Sequence, residues 1–415
     1  MKYRISIPMV FAFLAAAHSA DWPQWRGPQG TGVVPETEVV TSFPDDPKST
    51  WHCPVGDGFA SPVVSGGKVF YLDNQDKQEV AHALDAATGR EIWREVVYES
   101  HQDGFGIGPR TTPLVDGDRV YLQSAKGEFQ CRNAADGKLL WRTNFVEDFG
   151  AIYIGEKGDA AGASRHGATA TPVIYNETII VQVGSAKEAS IVAFNKLDGK
   201  VIWKSQNDQT AYASPTIAEI GGVTQYIAFT CEGLIGLDPA TGGLLWRQPM
   251  TTRLGRHVTT PVVIGDLVIV ASHQLGLVGT RISKEGKTWN AKEAWVNKKI
   301  MTNFSSPVVV GDYLYGLGSN KDVICVDTKS GEPAWTQTGI VNTSAEQAEA
   351  AFLIMGKNIA TLTDGGEFVL FAADPKDYKE ISRIQVCGKT WCNPAYTEGH
   401  LYLRDAKELR RVELK

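Results

Sequence analysis

The sequence predicts an all-β ring, an eight-bladed β-propeller of four-stranded antiparallel blades, on three observations. A nine-residue figure of Asp or Asn, three residues, Gly, three residues and Trp recurs at Asp85–Gly89–Trp93, Asn133–Gly137–Trp141, Asn195–Gly199–Trp203, Asp238–Gly242–Trp246 and Asp327–Gly331–Trp335. A second landmark, Ser/Thr-Pro before a β-branched run, falls at Pro62, Pro113, Pro172, Pro215, Pro261 and Pro307, with a variant at Pro394. The landmarks repeat at a spacing of roughly 40–50 residues, the range of stacked supersecondary units, of which propeller blades are the all-β form. Between Pro307 and Pro394 the gap doubles, so a unit lacking both Pro and Trp is placed there, beginning near Phe352.

Each unit resolves into strands. Thr112-Pro-Leu-Val-Asp, a Gly-Asp turn and Arg119–Gln123 read as two strands of a hairpin. Glu128–Arg132 is the third strand, Asn133 to Gly137 the turn and Lys138–Trp141 the fourth. A turn opening on Asp or Asn needs φ > 0 at its exit, which Gly supplies without a Cβ clash. Proline has no N–H for a ladder, so it starts the innermost strand, an edge. Tryptophan offers the largest apolar face for the seam between neighbouring sheets. The C-terminal strands Leu401–Asp405 and Glu408–Leu414 have no following Trp strand, whereas Ser49-Thr-Trp51-His has no repeat ahead of it. Trp51 is therefore expected to complete the last blade and join the two termini in one sheet.

Residues 1–20 read as a secretory leader: Lys2 and Arg4 precede the apolar segment Ile5–Ala17, and small residues follow at Ala17, Ser19 and Ala20. The apolar run is short for a membrane span and is interrupted by Pro8, so no integral membrane segment is expected after cleavage. No Cys follows the cleavage site to carry a bacterial lipid anchor. Residues 21–50 are assigned as an N-terminal extension and 51–415 as the propeller, in a periplasmic or secreted protein. The formal net charge of −6 becomes more acidic once Lys2 and Arg4 are removed, which argues against nucleic acid or anionic lipid as the partner.

The six cysteines are never adjacent and never spaced Cys-x2-Cys, so no local zinc site is encoded. Cys131 and Cys325 share the register of Ala83 and Ala193 and are expected to be small buried packers. In an exported protein, Cys387 and Cys392 are candidates for a short-loop disulfide, with Cys53 nearby in the closing blade. Gly104-Phe-Gly-Ile-Gly108 lacks a surrounding βαβ unit and is assigned to an inter-blade connection. No Gly-x-Ser-x-Gly or His-Glu-x-x-His motif occurs. Residues 143–168 and 281–297 exceed the minimal blade and are expected to form contact loops.

The Asp-x-x-Thr-Gly-x-x-x-Trp and Ser/Thr-Pro-Val-Val pair resembles the pyrroloquinoline quinone (PQQ)-like repeat. That repeat occurs in quinoprotein alcohol dehydrogenases and in the BamB-like propellers of outer-membrane β-barrel assembly. The resemblance covers about residues 51 to 415 and implies a propeller. Dehydrogenases of the family hold PQQ against a Trp floor and an adjacent-Cys disulfide, with calcium on Glu and Asn oxygens and an Asp base. Here no Cys-Cys pair exists and no segment transfers those ligands residue by residue, so no catalytic, cofactor-binding or metal residue is assigned.

Ahead of the Ser/Thr-Pro landmarks stand Arg110, Arg165 with His166, Tyr212, Arg256 with His257, and Asn303 with Phe304. In a propeller these segments converge on one mouth of the central channel, and clustered guanidinium forks suit a small anionic ligand or an acidic peptide. The competing assignment pairs them with nearby acids such as Glu147, Asp148 and Asp159. The sequence thus reads as an exported, non-catalytic binding or scaffolding module with a protein partner or small anionic ligand. The alternative is a periplasmic PQQ- and calcium-dependent dehydrogenase of alcohols or sugars.

Overall fold

A computed structural model describes residues 21–35, 37, 39–153, 166–302, 304–341 and 348–415. The predicted leader, Arg165 and Asn303 lie outside the described residues. The described strands form eight four-stranded antiparallel sheets and one two-stranded hairpin. Blade 1 comprises Val63–Ser65, Lys68–Gln75, Gln78–Asp85 and Glu91–Glu99, in that spatial order. Blades 2 to 7 repeat this order, starting at Leu114, Val173, Thr216, Val262, Val308 and Ala350. Most of the first strands are only three residues long and sit at a sheet edge, where a missing proline N–H costs no ladder bond.

Blade 8 joins the ends of the chain. Its strands Ala395–Thr397, His400–Arg404 and Glu408–Glu413 are completed by Ser49–Pro54, with Trp51 paired to Arg411.

The landmark tryptophans lock one blade to the next. All but one of these indoles lie on the following blade's turn and donate to a carbonyl there. Trp51 bonds Ala86 O at 2.9 Å, Trp93 bonds Ala134 O at 3.2 Å, Trp141 bonds Lys196 O at 3.1 Å, and Trp203 bonds Pro239 O at 3.2 Å. Trp295 and Trp335 continue the pattern onto Thr328 O and Asp374 O, both within 2.9 Å. Trp246 departs from it. Blade 5 replaces the Asp-to-Gly turn by a long hairpin, Gly276–Glu285 with Thr288–Asn297, and the Trp246 indole instead donates to Gln225 Oε1 of its own blade at 2.6 Å.

Opposite each of these repeat indoles, Trp51 in the closing blade excepted, the neighbouring strand carries a small residue. Ala83 faces Trp93, Cys131 faces Trp141, Ala193 faces Trp203, Gly236 faces Trp246, Gly279 faces Trp295 and Cys325 faces Trp335. This explains the shared register of Ala and Cys. In blade 7, where no Trp occurs, the sizes exchange: Leu370 faces Ser382. Cys387 and Cys392 are both buried free thiols.

The turn glycine serves conformation and space together. Gly199 has φ of 73°, and a Cβ there would lie 2.7 Å from the Trp141 ring. Gly199→Ala is expected to lose about 2–3 kcal/mol, the left-handed penalty plus displacement of the indole, read as a lower urea midpoint at unchanged slope.

Candidate functional site

The axis of the ring is lined by one side chain per blade. In the six blades with the full proline landmark, the residue three before the proline faces inward: Phe59, Arg110, Thr169, Tyr212, Val258 and Phe304. Trp391 holds the same offset from Pro394, and Glu349 from Phe352 in the blade that has lost its proline. A second layer, one residue before the proline, adds the hydroxyls of Thr112, Thr171, Ser214 and Thr260. The chamber holds a cavity of about 170 Å³. Its lining is mostly apolar with a few convergent polar groups, the make-up of small-molecule sites.

Its floor is the extension that precedes the propeller. Trp22 pairs with Val64 of blade 1 through two backbone bonds, and Val115 N of blade 2 donates to Pro23 O. Arg26, buried, donates through Nη2 to Pro307 O at 2.6 Å before blade 6, and Gly32 and Val34 bond Ile354 of blade 7. Burial lowers the Arg26 guanidinium to about 10, so it stays charged at neutral pH. The segment Asp21–Val34 thus crosses the axis as a strap. Trp25 closes the chamber from below, its Nε1 3.3 Å from Thr260 Oγ1. A second cavity, lined by Pro23, Trp25, Pro172 and Pro215, lies on the other side of that indole.

Its roof is the glycine-rich connection between blades 1 and 2. Gln102–Asp103 and Gly106–Ile107 form a small hairpin that carries Phe105 over the mouth, 5.2 Å from the His166 ring and 6.0 Å from Trp391. Asp103 fastens it. Its carboxylate accepts from Arg110 Nη2 at 2.9 Å and lies 2.6 Å from His166 Nδ1 and 3.6 Å from His101 Nε2. Burial opposes the charge on Asp103. The hydrogen bond to His166 and the proximity of His101, with the Arg110 charge, outweigh burial and hold the carboxyl far below the usual range. Deeper in, burial raises the Glu79 carboxyl to about 7 despite its hydrogen bonds.

Of the sequence-marked residues, the structure brings Arg110, His166, Tyr212 and Arg256 to the mouth. His257 is elsewhere: it is fully buried, stacked on Phe229 at 4.0 Å with Nδ1 2.6 Å from Thr230 O, and burial lowers it to about 4. Arg110 does find an acid, but it is Asp103; Asp148 instead accepts from Thr143 and Asn144. Arg256 lines a smaller pocket with His273, beside Phe105 and Phe304. Its Nε is buried without an acceptor, and no carboxylate pairs with it among the described residues. Glu349, Trp391, Phe59, Phe105 and Trp25 were missed. A strict count of three residues back from each proline finds Trp391 and Phe59, and the same offset from Phe352 finds Glu349.

The residues present do not fit PQQ with calcium. Among the described residues no group of three His, Cys, Asp or Glu side chains is placed to hold a metal ion. Asp103 is occupied by its cationic neighbours, and Glu349 stands without a second carboxylate among the chamber's lining.

Comparison with known proteins gives the same fold. A family model described as outer membrane protein assembly factor BamB matches residues 76–337. The outer membrane protein assembly factor BamB of Yersinia pestis is 23% identical over 375 residues, covering 80% of this chain and 85% of that protein. Among solved structures, BamB from Moraxella catarrhalis superposes with a TM-score of 0.59 at 12% identity, over 89% of this chain and 100% of the other. Quinohemoprotein alcohol dehydrogenase from Comamonas testosteroni gives 0.50 at 14% identity, over 96% and 81%, a likeness of fold alone. With the family match spanning more than half of its length and eight four-stranded blades around one axis, this chain belongs to the PQQ-like propeller family described as outer membrane protein assembly factor BamB.

Proposed function

We propose that this protein is an exported, non-catalytic propeller that acts in the periplasm as a scaffold in outer-membrane protein assembly; the names of its relatives call them outer membrane protein assembly factors. The observation that carries the reading is the use made of charge around the axis. Asp103, Arg110 and His166 hold a roof hairpin in place rather than standing as nucleophile, base and oxyanion donor around a reacting atom. The rim supports docking. The outer strands leave an edge on each of blades 1 to 4 and expose Ile92, Leu140, Ile202 and Leu244 there, a geometry suited to a partner that adds a strand.

A small anionic ligand at the mouth remains part of this reading, and Arg256 is the cation left for it. Deleting the gene in its host is expected to lower the amount of folded outer-membrane β-barrels, measured by heat-modifiable gel mobility; unchanged amounts overturn the scaffold. The rival dehydrogenase requires a bound chromophore and dye-linked alcohol oxidation when purified protein is mixed with PQQ and calcium. Neither is expected.

A further inference from the structure

We propose that the axial chamber binds an organic ammonium ion, caged by Phe105, Phe304 and Trp391 and neutralised by Glu349. The inference rests on reading the chamber as a ligand site. Three aromatic rings from three different segments meet there: Phe304 and Trp391 stack at 5.9 Å, and Phe105 lies 6.0 Å from Trp391 and 6.2 Å from Phe304. Such clusters attract a cation through the negative faces of the rings, most strongly where water is excluded. Phe304 belongs to blade 6 and Trp391 to blade 8, so the blade between them places Glu349 beside the cage.

The charge around the chamber decides the sign of the ligand. On the opposite wall Arg110 and His166 have Asp103 between them, which cancels the arginine's charge locally. Burial, with Asp364 nearby, pushes the Glu349 carboxyl well above the usual range. Burial in the empty chamber thus disfavours the carboxylate, and an arriving ammonium ion favours it. Binding then releases a proton and tightens as pH rises. Among the described residues, the other titratable groups near Glu349 are Asp364 of its own blade and the Cys392 thiol next to Trp391. A ligand that also carries an acidic group would reach Arg256 in the adjoining pocket.

The test uses the purified chain without its leader, with choline and its uncharged carbon analogue 3,3-dimethylbutan-1-ol as probes, followed by tryptophan fluorescence and calorimetry. Choline is expected to bind and the alcohol to bind about 10-fold more weakly or not at all. Glu349→Gln and Trp391→Leu should each weaken choline about 10-fold, with an unfolding transition retained as the check on structure. If Trp391→Leu does not fold, the nearly isosteric Glu349→Gln decides. Absence of choline binding at tens of millimolar, equal binding of the alcohol, or full affinity in Glu349→Gln overturns the proposal. Failure of the assembly phenotype with choline binding intact would reject the scaffold role and leave this site standing.

Discussion

Arg404→Ala is expected to destabilise the fold by about 3–5 kcal/mol, measured as a lower midpoint of urea unfolding. Arg404 is fully buried on the second strand of blade 8. It donates through Nη1 to Leu72 O at 2.9 Å and through Nη2 to Gly56 O at 2.6 Å, so one side chain ties the closing blade to blade 1. Truncation empties a large volume and takes charge-assisted donors from one buried and one half-buried carbonyl. Its Nε has no acceptor, so the arginine is not an optimal occupant either. Arg404→Met, which keeps most of the volume, should lose distinctly less than alanine. Equal losses would show that the donors, not the packing, dominate.

The second large effect is His82→Ala, also about 3–5 kcal/mol near neutral pH. His82 is buried in blade 1 with Nε2 3.1 Å from Asp73 Oδ1 and Nδ1 3.0 Å from Glu91 Oε2, and it stacks on Tyr71 at 4.6 Å. Its two ring nitrogens each face a carboxylate oxygen, so the imidazole bridges the pair. Burial alone would raise the wholly buried Asp73, but the hydrogen bond and charge of His82, with the Gly56 N–H, leave it below its ordinary value. A depressed carboxyl contributes stability above its unfolded pKa and loses it as pH falls through the folded value. The difference between wild type and His82→Ala should therefore be full near neutrality and shrink below about pH 4. A difference that stays constant down to acid unfolding would mean that the loss is packing alone.

The blades were legible because their signals are local. An Asp-to-Gly turn needs φ near +73° at Gly199 whatever surrounds it, and Trp51 without its own repeat pointed to the strand that completes blade 8. The docking of Trp246 was not legible, since it depends on a turn missing from the next blade rather than on its own motif. Around the axis the limit was register. Side chains alternate along an extended approach to the proline, so Val258 faces the chamber while its neighbour His257 turns into the blade. Phe105 and Asp103 escaped notice for another reason. Their positions are set by Arg110 and by His166, which is 63 residues away in sequence.

Blade 8 sets the timetable for the whole molecule. Thr50 and Arg411 lie side by side although 361 residues separate them, so the circle cannot shut until nearly all of the chain has been delivered. Throughout synthesis the first strand waits as an unzipped edge, exposed to any other strand that offers a ladder. A deletion of the last dozen residues would accordingly do more than shorten the protein: it would leave a crescent with two sticky ends.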